Sequence, residues 1–144
     1  MLNKTHKAHR DGLTTLKVED RLVIGEVLSL HGFIFDAVEL DRLDEIFTPE
    51  IVYDMSAVGI GVFEGIETVR NAAASMGDRG PIAHHVTNVL ISSDEDDVAT
   101  AQSKGLMLMR DGTLESVTHL DTLRRHEGQR RISHRIISPI RAKH

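Results

Sequence analysis

The strongest constraint on the fold of this chain is a change of hydrophobic period at Gly80-Pro81. Before it the apolar residues recur at helical spacing, and after it they follow strand patterns only. In the first half, Val23, Val27, Leu30 and Ile34 form one stripe from Val18 to about Val38, and Ile24, Leu28, His31 and Phe35 form a second beside it. Together they give a helix with an apolar face wide enough to cover a large surface. A short helix through Leu40, Leu43, Ile46 and Phe47 is expected to stop at Thr48-Pro49. Ile51 to Ser56 reads as a strand with Ile51, Tyr53 and Met55 on one face. Gly59, Gly61 and Gly65 mark a loop or short edge strand, and Ile66 to Met76 reads as a third helix. After Pro81 come His84–Ile91, Val98–Met109, Leu114–Arg125 and Arg130–Ile140, separated by an acidic turn, Asp111-Gly112 and Glu127-Gly128. Helices followed by an antiparallel meander predict an α+β domain. A long amphipathic helix laid across a curved sheet would leave a cavity where the two do not meet.

The 144 residues suit one domain, with 1–16 expected as a flexible leader, 17–140 as the α+β unit and 141–144 as a tail. The absence of cysteine excludes disulfides, a thiolate nucleophile and cysteine-ligated metal, and accords with a cytoplasmic location. No apolar run reaches membrane-spanning length, so no membrane partner is expected. A net charge of −5 disfavours a nucleic-acid partner. The C-terminal arginines Arg124, Arg125, Arg130, Arg131 and Arg135 have few aromatics among them for base stacking, and are expected to solvate one side of a strand pair.

Gly-rich phosphate loops, His-Glu-x-x-His and Gly-x-Ser-x-Gly are all absent, so candidate chemistry must come from polar residues on inward faces. His84-His85 opens a strand. His85 shares a face with Thr87, Val89 and Ile91, and His84 shares the other with Val86, Asn88 and Leu90. Alternation alone does not choose between them, and the plainest reading leaves both partly exposed. The Thr87/Val89/Ile91 face is taken as inward, which selects His85. Asp36 stands at the end of the first helix, where the helix dipole disfavours a carboxylate. It is either a solvated helix end or held there by a partner. An aspartate beside an imidazole in an apolar cavity is a general acid/base pair. His31 on the apolar helix face is more simply a satisfied core residue. Tyr53 and Asp54 point to opposite faces, His119 shares a face with Val117, Asp121 and Leu123, and Gln102 and Lys104 share a face of the strand before it. A metal site from His31, His84, His85 and His119 is disfavoured because adjacent strand histidines split across faces.

The order Asp20-Arg21, Phe35-Asp36, Leu40-Asp41-Arg42-Leu43, Phe47-Thr48-Pro49-Glu50, Tyr53-Asp54, Phe63-Glu64-Gly65-Ile66-Glu67-Thr68-Val69, His84-His85-Val86-Thr87-Asn88, Asp121-Thr122-Leu123-Arg124-Arg125 and Arg130-Arg131-Ile132 spans about Val18 to Ile140. It resembles the SnoaL-like branch of the nuclear transport factor 2 superfamily that includes scytalone dehydratase and bile-acid dehydratase. The resemblance implies a cone-shaped α+β barrel with a deep pocket, usually a homodimer and usually without a cofactor. It implies Asp36 and His85 as the catalytic pair. Tyr53, Phe35, Met55, Gln102, His119 and His31 are then the residues around a small hydrophobic, polyketide-like carbonyl substrate. Phe35 and Met55 stand where such dehydratases carry tyrosines, and Gln102 where they carry a histidine, so hydroxyl donors are fewer here. The implied activity is that of a dehydratase-, isomerase- or cyclase-type lyase. The alternative is a non-catalytic ligand-binding, scaffold or small-subunit protein of the same fold.

Overall fold

A computed structural model describes residues 16–93 and 97–140. The expected tail and most of the expected leader lie outside the described residues. Leu16, the leader's last residue, is 8% exposed and belongs to the core. Helix α1 runs Val18–Ala37. Its buried side is Ile24, Val27, Leu28, His31 and Ile34, with Leu30 and Phe35 packed against them. Both expected stripes contribute, because the helix lies against strands on more than one side. It ends at Val38, which turns left-handed at φ 55°.

A 3-10 helix, Leu40–Glu45, leads into β1, Phe47–Met55. Pro49 was expected to stop a helix but lies inside β1. The pairing of β1 with β6 slips between Phe47 and Val52, and its pairing with β2 begins only at Val52. A residue without an N–H therefore removes no ladder bond there. β2 (Gly61–Glu64) and helix α2 (Ile66–Met76) follow, then β3 (Ala83–Ser93), β4 (Ala99–Leu108), β5 (Leu114–His126) and β6 (Gln129–Pro139). These make one six-stranded sheet in the order β2-β1-β6-β5-β4-β3. Only the β1–β6 pair is parallel. The core of Ile24, Ile34, Leu43, Ile46, Phe47, Ile51, Leu123 and Ile132, all at 0–1% exposure, fills the space between α1, the 3-10 helix and the inner sheet face.

Two bulges set which residues face inward. In β3 the register against β4 shifts between Thr87 and Leu90, and Asn88 adopts φ 54°. One extra residue therefore sits on β3, and the parity of the strand reverses across it. In β6 the register against β5 shifts at Thr122/Leu123, opposite His134 and Ile132. Arg130 and Ile132 face inward before that shift, and Arg135 and Ile137 after it.

The C-terminal arginines do not form a solvated stripe. Arg130 and Arg135 are 2% and 1% exposed. Arg130 donates to the Asp97 carbonyl and to Asp97 Oδ1, each at 2.7 Å, and approaches Asp20 at 3.4 Å. Arg125 bridges the same two carboxylates at 2.8 and 2.7 Å. The alternating charges join the start of α1 to β4, β5 and β6. They offset the cost of burying guanidinium groups that alternation alone would leave in water.

Candidate active site

The described residues enclose a cavity of about 970 Å³ between α1, α2 and the inner faces of β1, β3, β4, β5 and β6. That is near the upper end of small-molecule sites. Much of its wall is apolar, including Leu28, Met55, Val58, Phe63, Val69, Val86, Met107, Val117 and Ile137. Its polar wall includes four histidines (His31, His84, His85 and His119), Tyr53, Asp36 and Arg135, together with the exposed Asp78, Arg79, Arg110 and Glu115.

Asp36 on the last turn of α1 meets His84 on β3. Its Oδ1 accepts from His84 Nδ1 at 2.6 Å, and both carboxylate oxygens accept the His84 backbone N–H at 3.0 and 3.1 Å. The carboxylate is unfavourable for α1 by itself, but it accepts the backbone N–H of His84 at the start of strand β3 and fixes the ring beside it. With Nδ1 bound to the aspartate, Nε2 is the nitrogen left for the cavity, and it has no partner among the described residues. Side-chain exposures of 24% for His84 and 29% for Asp36 keep the pair within reach of a ligand. The close approach of helix and strand depends on Gly32, one turn before Asp36. A Cβ at that position would lie 2.9 Å from the His84 carbonyl oxygen.

The aspartate's partner is therefore His84, and the expectation of His85 is corrected. His85 also borders the cavity but is exposed and makes no such bond among the described residues. The expectation took the whole Thr87/Val89/Ile91 face as inward, with unbroken alternation back to His85. Ile91 is indeed buried, at 5% exposure, but the bulge at Asn88 lies between, so Ile91 shares its face with Val86 and His84. Asparagine is depleted in strands and enriched at positive φ. Asn88 was the one sign in the sequence that alternation would fail here.

A second group lies deeper. Tyr53 is 7% and His31 5% exposed, and the Tyr53 hydroxyl meets His31 Nε2 at 3.1 Å. His31 stacks on Phe35 with ring centroids 4.3 Å apart and meets the edge of Phe47 at 5.8 Å. Burial, then the positive charge of Arg135 and the neighbouring His119 and His84, hold the His31 imidazole well below the usual histidine range. It is thus a neutral ring. Burial raises the Tyr53 phenol, opposed by Arg135 beside it. Arg135 makes a two-pronged pair with Asp121 at 2.7 and 2.9 Å. Burial disfavours its charge, yet Asp121 holds the guanidinium proton more firmly than usual. Asp121 is 0% exposed, so neither charge is solvated. Sequence reading passed over this pair because the β6 bulge decides which arginine points inward.

His119 on β5 borders the cavity, with its Nδ1 3.3 Å from Ser103 Oγ on β4. Burial, then Arg135 and His84, push its imidazole down to about 2. Of the other expected site residues, Phe35, Tyr53 and Met55 border the cavity, and Gln102 does not. Gln102 is exposed on the outer sheet face, because Ala101, Ser103 and Gly105 are the inward residues of β4. Among the described residues no group of three or more histidines, aspartates or glutamates is placed to hold a metal ion. None of their helices is long and apolar enough to cross a membrane.

No curated protein matches the chain. Solved structures do. A nuclear transport factor 2-like protein with a cystatin-like fold from Novosphingobium aromaticivorans superposes with a TM-score of 0.75 at 22% identity, covering 99% of this chain and 94% of its own. A protein from the same organism, provisionally assigned as a scytalone dehydratase, gives 0.72 at 17% identity, covering 86% of each chain. LinA gives 0.72 at 20% identity, covering 88% of this chain and 93% of its own. Identities this low establish the fold alone. The family model described as a SnoaL-like domain matches residues 17–136, from the start of α1 into β6. On that match, and on a helix-then-sheet architecture shared with these structures, the chain belongs to the SnoaL-like domain family.

Proposed function

We propose that the protein is an acid/base enzyme that removes a proton next to a carbonyl in a small, largely apolar substrate, as a lyase or isomerase. The observation that carries this reading is the 2.6 Å Asp36–His84 bond at the wall of a mainly apolar cavity. Asp36 holds the proton on Nδ1, so the Nε2 lone pair is free to take a proton from carbon. The resulting imidazolium is stabilised by the adjacent carboxylate. The C–H bonding pair becomes a C=C bond, and the carbonyl π pair moves onto oxygen. For isomerisation, His84 Nε2 returns the same proton to the far end of the conjugated system. For elimination, a β-hydroxyl leaves and takes that proton, departing as water. In neither case is an electron acceptor consumed.

The enclosed part of the cavity, away from the exposed Asp78, Arg79, Arg110 and Glu115, favours an uncharged substrate. Its buried cation, Arg135, is already neutralised by Asp121, and its enclosed histidines are neutral. The volume suits a compound of two to four rings. The test is hydrogen–deuterium exchange at the α-carbon of 1-tetralone in D2O, followed by NMR. The wild type should accelerate exchange. His84→Ala should lower that acceleration by roughly a hundredfold, Asp36→Asn should lower it less, and His85→Ala should leave it unchanged. Binding of 1-tetralone without any accelerated exchange would make the chain a binding module.

A further inference from the structure

A polar unit that the proton-transfer pair does not use stands at the cavity wall: Gly105 and His119 line the cavity, and the buried Ser103 is bonded to His119. Ser103 is 2% exposed, and its described hydrogen-bond partner is His119 Nδ1 at 3.3 Å. A buried hydroxyl with one partner must give its proton to that partner or leave it unsatisfied. The arrangement that strands no enclosed hydroxyl proton has Ser103 donating to Nδ1 and the ring proton on Nε2, the nitrogen that a ligand in the cavity would have to satisfy. The position of the ring is set from below by Gly105. A Cβ there would lie 2.7 Å from His119 Cε1 and 2.9 Å from Nε2, so the imidazole rests on bare backbone at the cavity wall. Val117 Cγ2, at 3.0 Å from the same point, closes the other side. Nε2–H has no acceptor among the described residues. It is an N–H donor in a low-dielectric cavity that already contains a base.

We infer that His119 is the specificity-determining donor that receives the substrate's carbonyl oxygen, and that Ser103 and Gly105 are positioning residues fixing its tautomer and its place. The inference rests on the reading of Asp36–His84 as the base and deepens it. The oxygen that gains electron density when His84 takes the proton would meet a neutral N–H rather than a cation. A neutral donor suits this place because the ring cannot take the substrate's proton and so cannot compete with His84. The substrate class narrows to neutral ketones whose carbonyl oxygen reaches the β4–β5 wall while the adjacent C–H reaches β3.

Two measurements test this. The first is 15N NMR of the histidine rings in the free full-length protein, with His119 assigned by difference from His119→Asn. The expected result is the Nε2–H tautomer in the wild type and a loss of that preference in Ser103→Ala. An Nδ1–H tautomer in the wild type overturns the proposal. The second compares the affinity of 1-tetralone with that of tetralin, the same skeleton without the oxygen. The wild type should prefer the ketone by roughly three- to tenfold, about one hydrogen bond. His119→Asn should keep part of the preference, and His119→Leu should abolish it. Equal affinities in the wild type, or a preference surviving in a folded His119→Leu, overturn the proposal, as does failure of both compounds to bind. Should His119→Leu not fold, Ser103→Ala must weaken the preference for the inference to stand. The base assignment is judged separately by exchange in His84→Ala, so either assignment can fall alone.

Discussion

Stability should fall steeply as pH drops from 7 to 5, and His31 is the residue through which this can be shown. In the folded protein its imidazole lies well below 6.5, held down first by burial and then by the charge of Arg135. In the unfolded chain it returns to about 6.5. The folded state therefore refuses a proton that the unfolded state accepts. The stability this confers is complete above about pH 6.5 and is lost as pH falls from there toward the folded-state value. Integrated from pH 7 to pH 5, one such group removes about 2 kcal/mol. His119, pushed down to about 2, titrates by the same rule, and its less complete enclosure makes its share somewhat smaller. The two together approach 4 kcal/mol, a large part of the 5–15 kcal/mol typical of a domain. Asp54, Asp97, Asp111 and Glu45 are held below the usual carboxylate range by hydrogen bonds from Ser56, Arg125, Thr113 and Arg42. Their contributions are lost only at lower pH, so the window is clean of them. The assay is urea unfolding at pH 7, 6 and 5, with the midpoint read at constant slope. His31→Gln keeps a side chain able to meet the Tyr53 hydroxyl and removes the titration. It should be less stable than the wild type at pH 7 and lose about 2 kcal/mol less on going to pH 5. A wild-type midpoint that stays level across this range, or a His31→Gln variant with the wild-type pH dependence, would refute the reasoning.

Other substitutions probe the rest of the site. Gly32→Ala should forgo the roughly 1 kcal/mol that alanine usually adds to a helix, because its methyl would meet the His84 carbonyl oxygen at 2.9 Å. Thermal unfolding would show no gain, and tetralone exchange would fall as β3 is pushed from Asp36. Gly105→Ala should cost about 1–3 kcal/mol by overpacking and shift the His119 ring signals, since the new methyl overlaps Cε1 at 2.7 Å. Asp121→Asn leaves a buried guanidinium uncompensated and should cost about 3–5 kcal/mol in denaturant unfolding; a loss below 1 kcal/mol would mean that water reaches Arg135. Leu123→Ala, at a position of 0% exposure, should cost about 2–5 kcal/mol without altering the pH dependence.

The elements of the fold were legible because their signals are local. The stripes of α1 follow from 3.6-residue spacing, and Asp111-Gly112 and Glu127-Gly128 do fall between the strands they were expected to separate. Asp36 could be singled out because a carboxylate at a helix C-terminus is unfavourable without a partner. Tyr53 and His119 faced inward as strand alternation in β1 and β5 required, since neither strand is bulged between those residues and its buried markers. What the sequence could not decide was parity beyond a bulge. A single extra residue reverses every later side chain, and whether a strand accommodates one depends on the strand beside it. Asn88 thereby gave the aspartate His84 instead of His85, and the slip in β6 turned Arg135 inward onto Asp121. The roles of Gly32 and Gly105 were equally out of reach, because a glycine that admits a neighbouring strand or ring is recognisable only when that neighbour is in place. Periodicity, read along the chain, determined the helices, the strands and their order. Contacts between segments far apart in sequence decided which histidine meets Asp36, which arginine is buried, and how closely α1 approaches β3.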